Sequence, residues 1–164
     1  MTQLLDLPRA HCMIPVVRSP GDYQTFRISP QDKNRLAIVF DPGNASASLT
    51  FCVEIFEPGG KTPSHRHNGA VEMFFVLKGE GIVRCDGKEV TIRTGDSILV
   101  PPTGTHEVCN ASHTQRLYVL CFMTPNEDFA ELIRSGIPME LDAEDLEVLG
   151  RSDRCKTELL QPIR

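Results

Sequence analysis

The chain has 164 residues, which is enough for one domain with a buried core. Its formal net charge is −5, and it contains no run of basic residues that would bind nucleic acid or an anionic membrane. No apolar stretch approaches ~18 residues, and the first residues lack the basic and apolar segments of a secretory signal. We therefore expect a cytoplasmic protein whose partner is a small-molecule substrate or ligand, with no nucleic acid or membrane partner.

Residues 1–44 are predicted to form an N-terminal extension that contributes strands. The apolar run 12–17 contains Pro15, which restricts it to an edge strand. Residues 24–28 alternate between apolar and polar types, whereas residues 34–40 are apolar on both faces. A strand of the second kind is covered on both sides. A second copy of the chain would provide one of the covers, so we expect a homodimer.

Residues 45–124 are predicted to form the core of a β-barrel. In the strand predicted over 45–57, Cys52, Glu54 and Phe56 share one face because alternate side chains of a strand point the same way. Further short strands follow without a helical period between them, and Gly, Pro and Asp separate them at regular intervals. This recurrence favours an all-β sandwich or barrel.

A histidine-rich stretch after the first barrel strand is the candidate functional site. His65 and His67 are two residues apart, so in an extended chain their imidazoles point the same way. Glu72 follows at an odd offset, but the turn signal Asn68-Gly69 can reset the alternation and bring its carboxylate inward. His106 lies in a second strand and turn block that can fold back beside the first. Three imidazoles and one carboxylate suit a divalent transition metal ion.

The strand after this turn gives expectations for the barrel wall and for the outer surface. Glu72, Phe74 and Val76 share a face, so Phe74 and Val76 should line an apolar wall beside the metal. The alternate side chains, which are Met73, Phe75 and Leu77, should point outward. A lone barrel would expose these apolar side chains to water, which is a second argument for a homodimer.

The period changes after Pro125, where residues 125–150 are predicted to be a helical segment. Apolar side chains recur at helical spacing over 126–135, and a second helix is predicted over 142–149 with Asp142 as its N-cap. Residues 151–164 form a polar tail with no periodicity. The six cysteines are scattered without a C-x-x-C pair, so reduced, packed thiols are expected.

The histidine-rich stretch resembles the first cupin motif, G-x5-H-x-H-x4-E-x6-G. The matching residues are Gly59, His65, His67, Glu72 and Gly79.

The second cupin motif, G-x5-P-x-G-x2-H-x3-N, is similar to Gly95, Pro101, His106 and Asn110. Thr103 stands where that motif has glycine, which leaves open only the shape of the turn before His106.

The resemblance to the cupin superfamily implies a single conserved barrel of the double-stranded β-helix, or jelly-roll, type with short C-terminal α-helices. It also implies one divalent metal, Fe, Mn, Ni or Zn, bound inside the barrel by His65, His67, Glu72 and His106. The superfamily spans many activities, so a metal-dependent oxygenase is the first expectation. The alternatives are a redox-neutral isomerase, lyase or decarboxylase, and a non-catalytic ligand-binding cupin.

No acid or base for such a reaction can be chosen from the sequence. Tyr23, Glu54, Arg84 and Tyr118 are available polar groups. The alternation of side chains cannot be carried across turns, so which of them faces the metal stays open.

Overall fold

The computed structural model describes residues 15–150. Within them, one 3-10 turn, ten strands and three short α-helices follow in this order: the 3-10 turn Pro20–Asp22, β1 Gln24–Arg27, β2 Asn34–Phe40, α1 Pro42–Ala45, β3 Thr50–Phe56, β4 Val71–Lys78, β5 Glu80–Cys85, β6 Lys88–Arg93, β7 Ser97–Val100, β8 His106–Asn110, β9 Leu117–Thr124, α2 Phe129–Arg134, β10 Ile137–Met139 and α3 Ala143–Val148. None of these helices combines the length and apolar character that crossing a membrane requires.

The strands form two antiparallel sheets. The larger sheet has the order β10-β1-β2-β3-β9-β4-β7, and the smaller has the order β6-β5-β8. Strands distant in sequence, such as β3 and β9, are direct neighbours, and all seven residues of β3 pair with β9. Such long-range antiparallel pairing is typical of a jelly roll. The predicted all-β jelly-roll fold with short C-terminal helices is confirmed.

Apolar side chains from both sheets meet in the interior of the barrel. The larger sheet contributes Cys52, Phe74, Val76, Val119 and Cys121, among others, and the smaller contributes Val83, Ile92 and Val108. Alternate residues of each strand point inward, which is the pattern that the sequence predicted for β3 and β4.

The outer face of β2 is covered by the C-terminal segment of the same chain. Ala37 and Val39 of β2 belong to an outer cluster against which Leu141, Val148 and Leu149 pack. The two apolar faces of this strand are therefore explained without a second copy, which removes one of the two arguments for a homodimer.

Several local predictions need correction. Residues 15–17 form no strand, and the rest of the run 12–17 lies outside the described residues, as does the tail 151–164. The first C-terminal helix is shorter than the predicted 126–135, and strand β10, which pairs with β1, was not predicted. The second helix does begin after Asp142, whose carboxylate accepts a hydrogen bond from the backbone N–H of Asp145. The four described cysteines are free thiols, as expected.

A buried charge cluster attaches α3 to the sheet. Asp145 has no exposed surface, and its carboxylate accepts two hydrogen bonds from Arg35 Nη2, at 2.8 and 2.7 Å. The hydroxyl of Tyr118 donates a third at 3.1 Å, and Arg116 donates a fourth at 3.3 Å. Because Arg35 is also buried, each charge depends on the other for the contacts that water would otherwise provide.

Replacing Asp145 with Ala should therefore destabilise the protein by about 3 kcal/mol, because it leaves a buried guanidinium without its main partner. Urea unfolding measures the effect, and Glu144→Ala is the matched control because Glu144 lies next to Asp145 with its side chain 46% exposed. The control should change the free energy of unfolding by less than about 1 kcal/mol. Equal effects of the two substitutions would contradict the assignment.

Candidate metal centre

The candidate ligands lie in two chain segments that the backbone joins directly. His65 lies in the loop between β3 and β4, and His106 is the first residue of β8. The two residues form an isolated antiparallel bridge, with the N–H of His65 donating to His106 O at 3.0 Å and the N–H of His106 donating to His65 O at 2.7 Å. The fold thus brings together two histidines that are distant in sequence.

Side-chain donor atoms of His65, His67, Glu72 and His106 all lie within 4.8 Å of one another. Glu72 Oε2 is 2.8 Å from His106 Nε2 and 3.2 Å from His67 Nε2. Two donor atoms at right angles, each ~2.1 Å from one ion, are about 3 Å apart. These separations and the mixture of imidazole and carboxylate donors therefore fit a single transition metal ion.

Backbone carbonyls orient two of the imidazoles. His65 Nδ1 donates to Pro63 O, and His106 Nδ1 donates to Gly104 O, both at 2.9 Å. Because Nδ1 carries the proton in each hydrogen bond, Nε2 stays unprotonated and available to bind an ion at the centre of the cluster. Histidine ligands in metal sites are commonly fixed in one tautomer by such an outer contact. Burial lowers the pKa of His65, which keeps its imidazole neutral and suited to bind a metal.

Glu72 is the anionic member of the cluster. It begins the inward-facing series of β4 and is buried. Burial alone would raise its pKa, but hydrogen bonds with His106, His67 and Cys121 outweigh that effect and lower the pKa to about 2. Cys121 Sγ donates to Glu72 Oε1 at 3.1 Å. The carboxylate is therefore ionised at neutral pH, as a metal ligand must be.

A carboxylate that the sequence analysis missed holds the loop between His67 and Glu72. Glu127 accepts hydrogen bonds from three consecutive backbone N–H groups, those of residues 68, 69 and 70, at 3.0, 2.7 and 2.9 Å. These contacts hold the turn that resets the alternation and brings Glu72 inward. The sequence assigned Glu127 to the first turn of a helix, and its distance of more than 50 residues from the loop gives no local signal of this role.

Thr103 stands in the turn before His106, at the position where the motif has glycine. Thr103 has a φ of 68°, a left-handed conformation that is uncommon for a β-branched residue. Its N–H donates to His67 O at 3.0 Å, so this turn contacts the other ligand segment directly. Asn110, the last residue of the motif, donates from its side chain to the carbonyls of Phe56, Glu57 and Gln115.

A cavity of about 410 Å³ borders the cluster. His65, His67 and Glu72 line one part of it, and apolar side chains line much of the rest; they are Ile28, Leu36, Phe74, Val108, Phe129 and Leu132. Phe74 therefore has its predicted place in the wall. Val76 does not line the cavity, because it is fully buried in the core between the sheets.

Of the four polar groups left open by the sequence, only Glu54 lines this cavity. Tyr118 contacts Asp145 in the outer cluster, and Tyr23 packs against the same cluster. Arg84 forms exposed ion pairs with Glu89 and Glu107. Glu54, in contrast, is buried, and its Oε1 accepts a hydrogen bond from Asn34 Nδ2 at 2.6 Å. Burial raises the pKa of Glu54 to about 8.

Comparison with known proteins identifies the same region. Residues 52–123 match the family described as Cupin domain. An oxalate-binding protein of Thermotoga maritima is 33% identical over 57 residues, which cover 35% of this chain and 47% of that protein. Gentisate 1,2 dioxygenase 1 of Aquipseudomonas alcaligenes is 26% identical over 100 residues, which cover 58% of this chain and 29% of that protein. These matches span about half or less of the relatives' own length.

A solved structure of a predicted oxalate decarboxylase from Thermotoga maritima superimposes with a TM-score of 0.59 at 26% sequence identity, covering 66% of this chain and 97% of the other. The region that matches the family, residues 52–123, includes β4 and β8, most of β3 and β9, and all four candidate ligands. Together with the jelly-roll sheets and the two motifs, these similarities show that residues 52–123 of this chain form a cupin domain.

Proposed function

We propose that this protein is a metal-dependent enzyme that acts on a small molecule, with an oxygenase as the first candidate activity. The observation that carries the proposal is the cavity of about 410 Å³ that borders the cluster of His65, His67, Glu72 and His106. A metal that only cross-linked strands would need no such cavity, whereas a buried, mostly apolar cavity with a few convergent polar groups is typical of a substrate site.

In this proposal the four side chains hold one divalent transition metal ion, Fe, Mn, Ni or Zn. Bound there, the ion would supply Lewis acidity and, in the case of iron, redox chemistry. Four protein ligands leave about two positions of a six-coordinate ion for substrate. The apolar wall, which includes Phe74 and Phe129 of α2, would pack against the body of the substrate and exclude water.

The similarity to gentisate 1,2 dioxygenase supports an oxygenase. A redox-neutral decarboxylase or lyase is the second candidate, and Glu54 is the observation that favours it. Such a reaction requires a group that exchanges protons, and Glu54 is a buried carboxyl in the same cavity as the candidate metal ligands. The similarities to an oxalate-binding protein and to a predicted oxalate decarboxylase support the same candidate.

We also propose that the protein forms a homodimer through the part of the larger sheet that α3 leaves uncovered. Met73 and Phe75 of β4 and Leu99 of β7 are 36%, 40% and 61% exposed. They continue into a shallow apolar surface that includes Phe51 and Phe122. Burying this surface against the same surface of a second copy would remove the exposed aromatic rings from water by a two-fold contact.

Metal binding can be tested by substitution of single ligands. His67→Ala and His106→Ala should each bind far less than one ion per chain, because each removes one of four donors from the cluster. Metal content after dialysis is measured by mass spectrometry on protein loaded with Zn(II). His113→Ala is the matched control, since His113 is an exposed histidine outside the cluster. Wild-type metal content in both ligand variants would contradict the proposed site.

Activity can be tested on metal-free protein reconstituted separately with Fe(II), Mn(II), Ni(II) or Zn(II). Dihydroxybenzoates, diketones, keto acids and oxalate are screened for product formation and oxygen uptake. We expect turnover with oxygen uptake in the Fe(II) protein and none in His67→Ala. Turnover with Zn(II) and without oxygen uptake would favour the redox-neutral candidate. Tight ligand binding without turnover under every metal would overturn the enzymatic proposal in favour of a binding protein.

Light scattering tests the homodimer. The wild-type protein should have twice the mass of one chain at micromolar concentration, and Phe75→Lys should convert it to a monomer by burying an unpaired charge at the contact. Val90→Lys serves as the control, because Val90 is 60% exposed on the smaller sheet. A monomeric wild-type protein would rule out the proposed contact.

A further inference from the structure

Glu54 is a buried acid that directs its carboxyl into the cavity beside the candidate metal ligands. It lies on β3, on the same face as Cys52 and Phe56, and is 4% exposed. It lines the cavity together with His65, His67 and Glu72. The carboxyl therefore lies where it can contact a small molecule bound beside these ligands.

Among the described residues, no cationic side chain is paired with Glu54 to compensate an ionised carboxylate. Its hydrogen-bond donor, Asn34 Nδ2, is neutral, and no Lys or Arg of residues 15–150 forms an ion pair with it. The second oxygen, Oε2, has no hydrogen bond to any described residue. A buried carboxyl with these surroundings is more stable in its protonated form.

Charged groups nearby act on the pKa of Glu54 in both directions, and burial exceeds them all. Burial is the main cause that raises the pKa of Glu54 to about 8; the negative charges of Glu72 and Asp32 add to it, whereas Asn34 and the positive charge of His106 oppose it. The other titratable or charged residues that line the cavity are His65, Arg66, His67, Glu127 and Asp128. Arg66 is exposed at the surface, so water screens its charge.

We propose that Glu54 is the general acid and base of this cavity. Its protonated Oε2 donates a proton to an oxygen of the small molecule bound beside His65, His67 and Glu72, and the resulting carboxylate takes a proton back from the product or from water. The Oε2–H bond breaks as the new O–H bond forms, so no further reactant is needed. The inference rests on the proposed function, since it names the proton-transfer group of that same site.

The proposal also restricts the class of substrate. A protonated carboxyl donates a short hydrogen bond to an anionic or carbonyl oxygen, whereas an ionised one would repel an anion. The apolar walls favour a compact organic body attached to that oxygen. We therefore expect a small organic acid, phenol or enolisable carbonyl compound, whose oxygen atoms lie between Glu54 and the candidate metal ligands.

The protonation and accessibility of Glu54 can be measured without a known substrate. N,N′-dicyclohexylcarbodiimide reacts with protonated carboxyls in apolar surroundings, as the acid adds across one C=N bond, and peptide mass spectrometry locates the product. In the metal-loaded wild-type protein we expect modification of Glu54 at pH 6 that decreases as the pH rises, because only the protonated carboxyl reacts. Glu54→Gln provides the blank, because it keeps the acceptor for Asn34 and removes the acid.

The variant Asn34→Leu tests the cause of the pH dependence. Leucine has nearly the same shape as asparagine but cannot donate a hydrogen bond to Glu54. The hydrogen bond from Asn34 lowers the pKa of Glu54. Its removal should therefore move the loss of modification to higher pH. A merely structural role of the pair would alter folding stability without this displacement. No modification of Glu54 in folded, metal-loaded wild-type protein at pH 6 would overturn the proposal.

Turnover separates proton transfer from binding. With the substrate found in the activity screen, Glu54→Gln should lose roughly 10²- to 10⁴-fold in kcat while KM changes little, because glutamine still donates a hydrogen bond but transfers no proton. Full metal content and an unchanged unfolding midpoint show that the variant is intact. Retention of wild-type kcat would overturn the proposal, even with Glu54 modified by the carbodiimide. A wild-type protein that binds metal and is modified at Glu54 but turns over no substrate would instead overturn the enzymatic function.

Discussion

Two backbone hydrogen bonds between His65 and His106, at 3.0 and 2.7 Å, are the contact on which the candidate metal centre depends. They join the loop after β3, a strand of the larger sheet, to the start of β8 in the smaller sheet. Thr103 adds a backbone contact to His67, and Glu127 holds the turn that follows His67. Because main-chain contacts position three of the donors, the cluster is preorganised rather than assembled by the ion.

The cavity contains two buried glutamates with opposite protonation states. Hydrogen bonds with His106, His67 and Cys121 overcome the effect of burial and lower the pKa of Glu72 to about 2. Glu54 has only Asn34 as a hydrogen-bond donor, so burial dominates and raises its pKa to about 8. Environments that separate the pKa values of two neighbouring acids in this way divide their roles. Glu72 is suited to bind a cation, and Glu54 is suited to carry a proton.

The two faces of the larger sheet serve different purposes. The inner face supplies the cavity with Phe74 and with both glutamates. Part of the outer face is covered by α3, which Asp145 anchors to Arg35, the neighbour of Asn34 on β2. The same strand therefore connects the C-terminal segment to the residue that holds Glu54. The uncovered part, with Phe75, is the surface that we propose for dimerisation.

The sequence alone was sufficient to predict the all-β fold, the inward face of β4 and the four residues of the cluster, because these follow from local alternation, turn residues and motif spacing. It could not choose among Tyr23, Glu54, Arg84 and Tyr118, since alternation is lost at each turn. Nor could it predict the hydrogen bonds of Glu127 to the turn after His67 or the packing of the C-terminal segment on β2, because these contacts join segments that are far apart in sequence. Only the tertiary structure decides such contacts, because they depend on which strands and loops become neighbours.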